Sequence, residues 1–422
     1  MRIWLIKAGE PFPLSSSARL FRTGMMANIL IERGHHVVWW TTAYDHFEKK
    51  YIADKFTIHR LQNNYELAIL YPTTPYRKNI SLARIKNHQE LAQTFVREIN
   101  SFPLPDIIVC SYPIIELAEE AIRFGQRHNI PVVVDIRDLW PDVFLEVLPR
   151  YLNFLGRPFL YFLNQKAQYV FDNAETIIGL TDEFLQWAYK KSNRKQLKKH
   201  INDFVVPMGY SDVIPDAGDV INADQFWEKQ GVVKTNFNIC FFGALGKQFD
   251  MKTVIEAAKR MQNRNDRNDR IKFIICGDGE SLALYKEQAS DLSNVLFTGR
   301  VDKVKIYSLM RRSSIGLAPY KNSFDFRASI GNKPAEYFSA GLPIISAVDG
   351  VLGRHLRQYN CGLIYSSGDP SDLVDKIMEL YNNRSKCEKM SSNAQALYAE
   401  KFIAKKVYTE FAKKLEAISN RY

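Results

Sequence analysis

The stretch Phe324 to Ala347, FDFRASIGNKPAEYFSAGLPIISA, concentrates residue types that can hold a phosphorylated ligand. Gly331–Asn332 reads as a turn, and Pro334, with its fixed φ and missing N–H, suits the first turn of a helix. Ala340-Gly341-Leu342-Pro343 stops that helix before a buried strand at Ile344-Ile345-Ser346. A loop, the free N–H groups of a helix start and the adjacent Lys333 together suit a phosphate. Glu336, in the first turn on this reading, has the wrong sign for phosphate; an acceptor-only carboxylate there suits the hydroxyls of a ribose or another sugar. The plainer alternative is a surface helix whose first-turn glutamate complements the helix dipole.

Other stretches carry similar chemistry. In VVVDIRDLWPD, strand residues 131–134 give way to Asp135, Arg137, Asp138 and Asp142. Charged groups directly beyond a buried strand end stand where ligands gather in an open α/β sheet. A structural salt bridge among these neighbours is the competing reading. NFNICFFGALGKQFD gives a strand and then a turn in which Gly243 and Gly246 let backbone approach a diphosphate, with Lys247 adding charge. RIKFIICGDGE ends its strand at Gly277-Asp278-Gly279, and NVLFTGRVDKV ends its own at Gly299-Arg300. The loop GEPFPLSSSARLFR lacks the G-x-G-x-x-G fingerprint, which argues against an NAD-type site; Ser15-Ser16-Ser17 suit a helix cap.

These residues need a scaffold, and the pattern supplies one. RIWLIKAG, HHVVWWTT, KFTIHRL, PDIIVCSYP and IPVVVDIRD read as strands, separated by helical stretches such as 16–33, 84–100 and 115–128. This alternation predicts a doubly wound parallel sheet. DFVVPMGYSDVIPDAGDV, dense in Gly, Pro and Asp, reads as a linker, and the alternation restarts beyond it. The basic run 189–203 reads as a solvated helix face, and 395–418 as one closing helix with Leu397, Tyr398, Phe402, Val407 and Phe411 on a helical period.

At 422 residues the chain has room for two domains of ordinary size. The five cysteines have no metal-ligand spacing, and several lie in apolar strand patterns, which predicts a reduced compartment. No run of about 18 uncharged apolar residues exists, and the N-terminal apolar stretch reads as a first strand rather than a secretory signal. The net charge of +11 fits phosphorylated substrates or an anionic membrane surface, as well as simple solubility; no nucleic-acid-binding motif accompanies it. The segment from Phe144 to Phe171 mixes aromatics with Arg150, Arg157 and Lys166, and suits either a membrane interface or packing against a sheet.

NKPAEYFSAGLPII resembles the donor-site segment of glycosyltransferase family 4, whose members are retaining, nucleotide-sugar-dependent enzymes of GT-B architecture. VVVDIRDLWPD resembles the D-x-R-D-L-W-P signature of the bacterial branch that builds O-antigen, capsule and other surface glycans, with amino-sugar transferases nearest. The resemblance implies an α/β fold of two Rossmann-like doubly wound parallel-sheet domains facing across a cleft. Residues 1–210 would form the acceptor side, with a C-terminal helix of about 398–422 packing back on it, and 211–397 the nucleotide-sugar donor domain. It implies transfer of a hexosyl or N-acetylhexosaminyl group from a UDP-sugar to a glycan or polyprenyl-diphosphate-linked acceptor. It also implies a cytoplasmic protein, peripheral on the inner face of the plasma membrane.

Residue by residue, the family's second glutamate matches Glu336 and holds the ribose, while its first, eight positions earlier, falls on Ala328, leaving Asp325 or Arg327 to replace it. Ala244 stands where the family has an Arg, with Lys247 as partial substitute, and Arg300 and Val301 match the backbone that contacts the base. The donor-binding set implied is therefore Gly243, Gly246, Lys247, Gly277, Arg300, Val301, Arg327, Lys333 and Glu336. Lys333, with Arg327, Lys247 and a helix dipole, would neutralise the leaving diphosphate in place of a metal, so neither a metal nor a further cofactor is expected. Arg137 and Asp138 match the position of the family's cleft-facing His or Asp and join Glu336 as catalytic candidates; Arg19 and Arg22 gain weight as groups facing the donor phosphates, with solvated helix residues as the equal alternative. Two other readings stay open: epimerisation with hydrolysis on the same fold, and a non-catalytic scaffold, suggested by Ala328 and Ala244.

Overall fold

A computed structural model describes residues 1–422 except 12, 15–19, 47, 79–80, 145–152 and 264–269. The chain divides into two compact units, Met1–Pro207 with Lys405–Tyr422, and Met208–Ala404.

The first unit is built on β1 (Arg2–Ile6), β2 (His36–Thr42), β5 (Thr57–Gln62), β6 (Tyr65–Leu70), β7 (Ile107–Tyr112), β8 (Val132–Ile136), β9 (Thr176–Gly179) and β10 (Phe204–Val205). A short antiparallel ladder, β3 (Tyr44–Asp45) with β4 (Lys50–Tyr51), stands apart from them. The sheet order is β10-β9-β8-β7-β1-β2-β6-β5. β7 and β8 are buried at every position, as parallel strands covered on both faces must be. The alternation places KFTIHRL among the parallel strands, but β5 pairs antiparallel with β6, a strand that this pattern omits. Asn63-Asn64 connects the two as a hairpin turn, and β5 is exposed at His59 and Arg60, as an edge strand can be. Trp4, Trp40 and Phe102 fill the core under the centre, with Trp4 and Trp40 ring centroids 5.3 Å apart.

Among the described residues the second unit has six parallel strands: β11 (Phe237–Phe242), β12 (Ile271–Cys276), β13 (Val295–Gly299), β14 (Ile315–Ala318), β15 (Ile344–Ser346) and β16 (Gly362–Ile364). Their order is β13-β12-β11-β14-β15-β16. Trp227 is fully buried in its core and donates its indole N–H to the Lys305 carbonyl at 2.8 Å.

Three expectations need correction. The helix expected over 16–33 begins at Arg22 and runs to Glu32, with residues 15–19, including Ser15–Ser17 and Arg19, outside the described residues. The closing segment is two helices, Arg384–Lys401 and Ala404–Ser419, because Ile403 leaves the helical path to bridge Tyr210. Backbone bonds from Tyr210 N to Phe402 O (2.8 Å) and from Ala404 N to Tyr210 O (2.9 Å) fix that break. The basic run 189–203 is not a uniform solvated face: Arg194 is fully buried and donates to Asp203 and to the carbonyls of Phe171, Ala174 and Glu175. Among the described residues, no helix is long and apolar enough to cross a membrane.

Candidate functional site

In the second unit the helix over NKPAEYFS spans Asn332–Ser339, two residues earlier than Pro334 alone suggests. Gly331 precedes it at φ +69, a conformation that favours glycine. Glu336 therefore leaves the first turn, and it is 2 % exposed, which removes the surface-helix reading. Tyr337 beside it anchors the helix from below, its hydroxyl donating to the carbonyls of Cys240 (3.2 Å) and Leu317 (3.1 Å). A carboxylate this deep is costly unless its oxygens are satisfied by polar groups. Its field is felt nearby: the Tyr320 phenol is pushed up, first by burial and then by the Glu336 charge.

Lys333 lies over three aromatic rings, its Nζ 4.7 Å from the centroid of Phe249, 5.6 Å from Phe241 and 5.7 Å from Tyr320. Its stem crosses the turn after β11 so closely that a Cβ on Gly243 (φ +149) would lie 2.4 Å from Lys333 Cε and 2.6 Å from Nζ. Gly243 N donates to Cys276 O (2.9 Å), Gly277 N to Gly299 O (2.8 Å) and Leu245 N to Asp278 O (2.8 Å). Gly243 O sits where a Cβ on Gly277 would be, 1.8 Å away. The turns after β11, β12 and β13 thus form one stacked set, the first of them under the Lys333 ammonium. Gly246 belongs to the first of these turns, Lys247 is exposed beside it, and Arg300 (exposed) and Val301 (half-buried) follow the third. Arg327 stands exposed on the short helix Phe324–Ala328, its NH1 donating to Asn322 O at 3.4 Å; Phe326 on that helix stacks on Tyr320 at 4.6 Å. Asp325 is held by the Ser323 hydroxyl, and Ala328 is buried.

In the first unit the 135–138 cluster separates. Asp135 is fully buried between two guanidiniums, Arg22 Nε at 3.1 Å and Arg137 Nε at 2.5 Å. Arg137 also reaches Glu10 Oε1 (2.6 Å) and Thr23 Oγ1 (3.2 Å), while Arg22 donates to the carbonyls of Val206 and Pro207. Burial opposes the charges of Asp135 and Arg137. The two guanidiniums nevertheless hold Asp135 below its usual range, and Asp135 and Glu10 raise Arg137 above its own. Arg137 and Arg22 are therefore structural members of an ion web. Asp138 instead is exposed and lines a cavity of about 150 Å³ with Lys7, Tyr44, His46, Tyr76, Arg84 and His88.

The motifs miss the ring faces of Phe241, Phe249 and Tyr320, which no spacing announces. Lys7 is different: it directly follows the buried run RIWLI, and the strand-end rule that singles out Asp135–Asp138 points to it equally.

Residues 223–397, within the second unit, match the family model described as glycosyl transferases group 1. A relative from Methanocaldococcus jannaschii, the uncharacterized glycosyltransferase MJ1178, is 26% identical over 190 residues, 44% of this chain; the match spans about half (49%) of the relative's length. Among solved structures, Anabaena HepE (Alr3699) in complex with UDP-glucose superposes with a TM-score of 0.65 at 16% identity, over 99% of this chain and 100% of that one. WaaG, a glycosyltransferase involved in lipopolysaccharide biosynthesis, gives a TM-score of 0.66 at 16% identity over 98% of both chains. The two doubly wound units are those of the GT-B fold.

Proposed function

We propose that the protein is a retaining glycosyltransferase that moves a sugar from a nucleotide-sugar, with UDP as the nucleotide, to a glycan or lipid-linked acceptor of a bacterial surface polysaccharide. One observation carries the reading: the Lys333 ammonium stands over the glycine turn at the carboxyl end of β11, which stacks on the turns after β12 and β13, and lies three residues before the buried Glu336 on the same helix. Cation–π contact holds an ammonium by its electrostatic attraction to the ring and does not require its N–H donors, which suits it to a diphosphate. Backbone N–H groups and the helix start add positive potential of the same sign.

On this reading Lys333, with Arg327 and Lys247 further out, stabilises the diphosphate as the bond from the sugar's anomeric carbon to the β-phosphate oxygen breaks. The acceptor hydroxyl oxygen bonds to that carbon on the same face, and its proton leaves with the departing UDP. Glu336 accepts from the ribose hydroxyls, and the turns around Gly277, Arg300 and Val301 border the base. Asp138, exposed in the first unit's cavity, orients the acceptor hydroxyl, while Arg137 is a positioning residue that holds Asp135 and Glu10. The WaaG likeness supports a surface-glycan acceptor. Tyr161 and Phe162, both exposed on the helix Asn153–Asn173, suit contact with a membrane that presents a polyprenyl-diphosphate carrier. Residues 145–152 of that aromatic segment, Arg150 among them, lie outside the described residues.

The test is UDP binding by calorimetry and transfer from UDP-sugars, with product configuration read by NMR. Glu336→Gln and Lys333→Met should each leave the fold intact and lower kcat/KM by about 100- to 1,000-fold. Full activity in Glu336→Gln would falsify the donor-site assignment.

A further inference from the structure

The cavity of the first unit contains a charge that the ion web leaves out. Lys7 follows β1, and its backbone is pinned to β2: its N–H donates to Trp40 O and its carbonyl accepts from the Trp39 indole, both at 2.9 Å. Its side chain lines the cavity, and among the described residues no hydrogen bond or ion pair engages the ammonium. Arg84 reaches the same space from the helix Leu82–Glu98, its guanidinium carbon 4.7 Å from the Trp140 ring and 5.7 Å from that of Tyr76. Two imidazoles, His46 and His88, line the same side, with Lys49 Nζ 3.5 Å from His46. The acids nearby are Asp138 in the lining, Asp45 beside His46, and Glu10 and Asp135 bound to Arg137.

We propose that this cavity binds an oxyanion through Lys7 and Arg84, and that the oxyanion is an acidic group carried by the acceptor sugar. The second half of that statement rests on the glycosyl-transfer reading; the first does not. Burial lowers the Lys7 pKa, and Arg137 adds to the effect, against the opposing pull of Glu10, Asp138 and Asp135. Burial likewise lowers Arg84. Lys7, a partly buried ammonium outside any ion pair among the described residues, is a standing cost that an incoming anion removes, with Arg84, bonded to His88 at 3.4 Å, adding positive charge to the same space. The volume, about 150 Å³, fits a group of benzene size. That is enough for the acidic group and part of the sugar ring that carries it, and too little for a long lipid chain. Asn87, whose amide is fixed by donating to Thr74 O at 2.7 Å, and the hydroxyls of Tyr44 and Tyr76 give the same lining polar groups that suit a sugar.

The experiment titrates glucose 6-phosphate, glucuronate and glucose into the full chain and into its Lys7→Met and Lys333→Met variants, by calorimetry, with UDP titrated separately into each. Binding of glucose 6-phosphate or glucuronate, weakened about tenfold or more in Lys7→Met but retained in Lys333→Met, is the expected result; which of the two binds identifies the acid as phosphate or carboxylate. Equal binding of glucose and its acidic analogues, or an acid signal lost in Lys333→Met and kept in Lys7→Met, overturns the inference. UDP should show the opposite pattern, lost in Lys333→Met and kept in Lys7→Met, so failure of the donor site and failure of the anion site are separately visible. Should Lys7→Met not fold, Arg84→Gln serves in its place with the same expectation.

Discussion

Two clusters of charge stand at the carboxyl ends of parallel strands, one in each unit, and they are built on opposite principles. In the first unit Arg22, Asp135, Arg137 and Glu10 neutralise one another at distances of 2.5 to 3.1 Å, with side chains 0 to 8% exposed. In the second, Lys333 is cradled by three ring faces and a bare glycine. Ion pairs of the first kind engage the cation's donors and the carboxylate's acceptors, whereas ring contact orients a cation without itself requiring N–H donors. Charge at a strand end is therefore not sufficient evidence of a binding group; what surrounds the charge decides.

The sharpest way to break this comparison is to remove the shared carboxylate of the web. Asp135→Asn leaves two buried guanidiniums facing each other and should destabilise the protein by about 3–5 kcal/mol in urea unfolding. UDP affinity of the folded fraction should be unchanged; a binding defect with full stability would instead make the web part of a ligand site. A smaller effect is expected from Gly243→Ala. At φ +149 any side chain is strained, by about 1–3 kcal/mol. The new methyl also displaces the Lys333 stem, so UDP affinity should fall about as far as in Lys333→Met, and unchanged affinity would detach Lys333 from the donor.

The mildest contrast is in pH. Burial, with nearby cations, holds His46 at about 4 and His88 at about 3. In the unfolded chain both imidazoles take up protons near pH 6.5, which the folded protein refuses. Their contribution is thus fully present above about pH 6.5 and lost as the pH falls toward 4, by on the order of 3 kcal/mol from His88 and less from the more solvated His46. Urea midpoints across that range check it, and His88→Gln should flatten the slope.

The sequence makes the second site far more legible than the first. NKPAEYFSAGLPII states its glycine, lysine, glutamate and proline in one continuous segment, so helix, stop and phosphate chemistry are all local. Only the start of the helix moves, because Gly331 can adopt the φ that begins it before Pro334. The web of the first unit joins Glu10, Arg22 and Asp135 across more than a hundred positions, and nothing in local spacing says that Arg137 turns inward while its neighbour Asp138 faces out. Alternation finds the parallel strands but not β6, since YELAIL follows β5 through a two-residue turn and looks like its continuation. The break at Ile403 is equally invisible, because its cause is a bridge to Tyr210.

The tryptophans give the two units unequal optical signatures. Trp4, Trp39, Trp40, Trp140 and Trp187 all belong to the first unit, whereas Trp227 stands alone in the second, fully buried with its indole nitrogen bonded to Lys305. Intrinsic emission from the intact chain is therefore dominated by one half of the molecule. The difference between its melting curve and that of a Trp227→Phe chain isolates the other half, so the unit that carries Lys333 and Glu336 can be followed on its own without cutting the polypeptide.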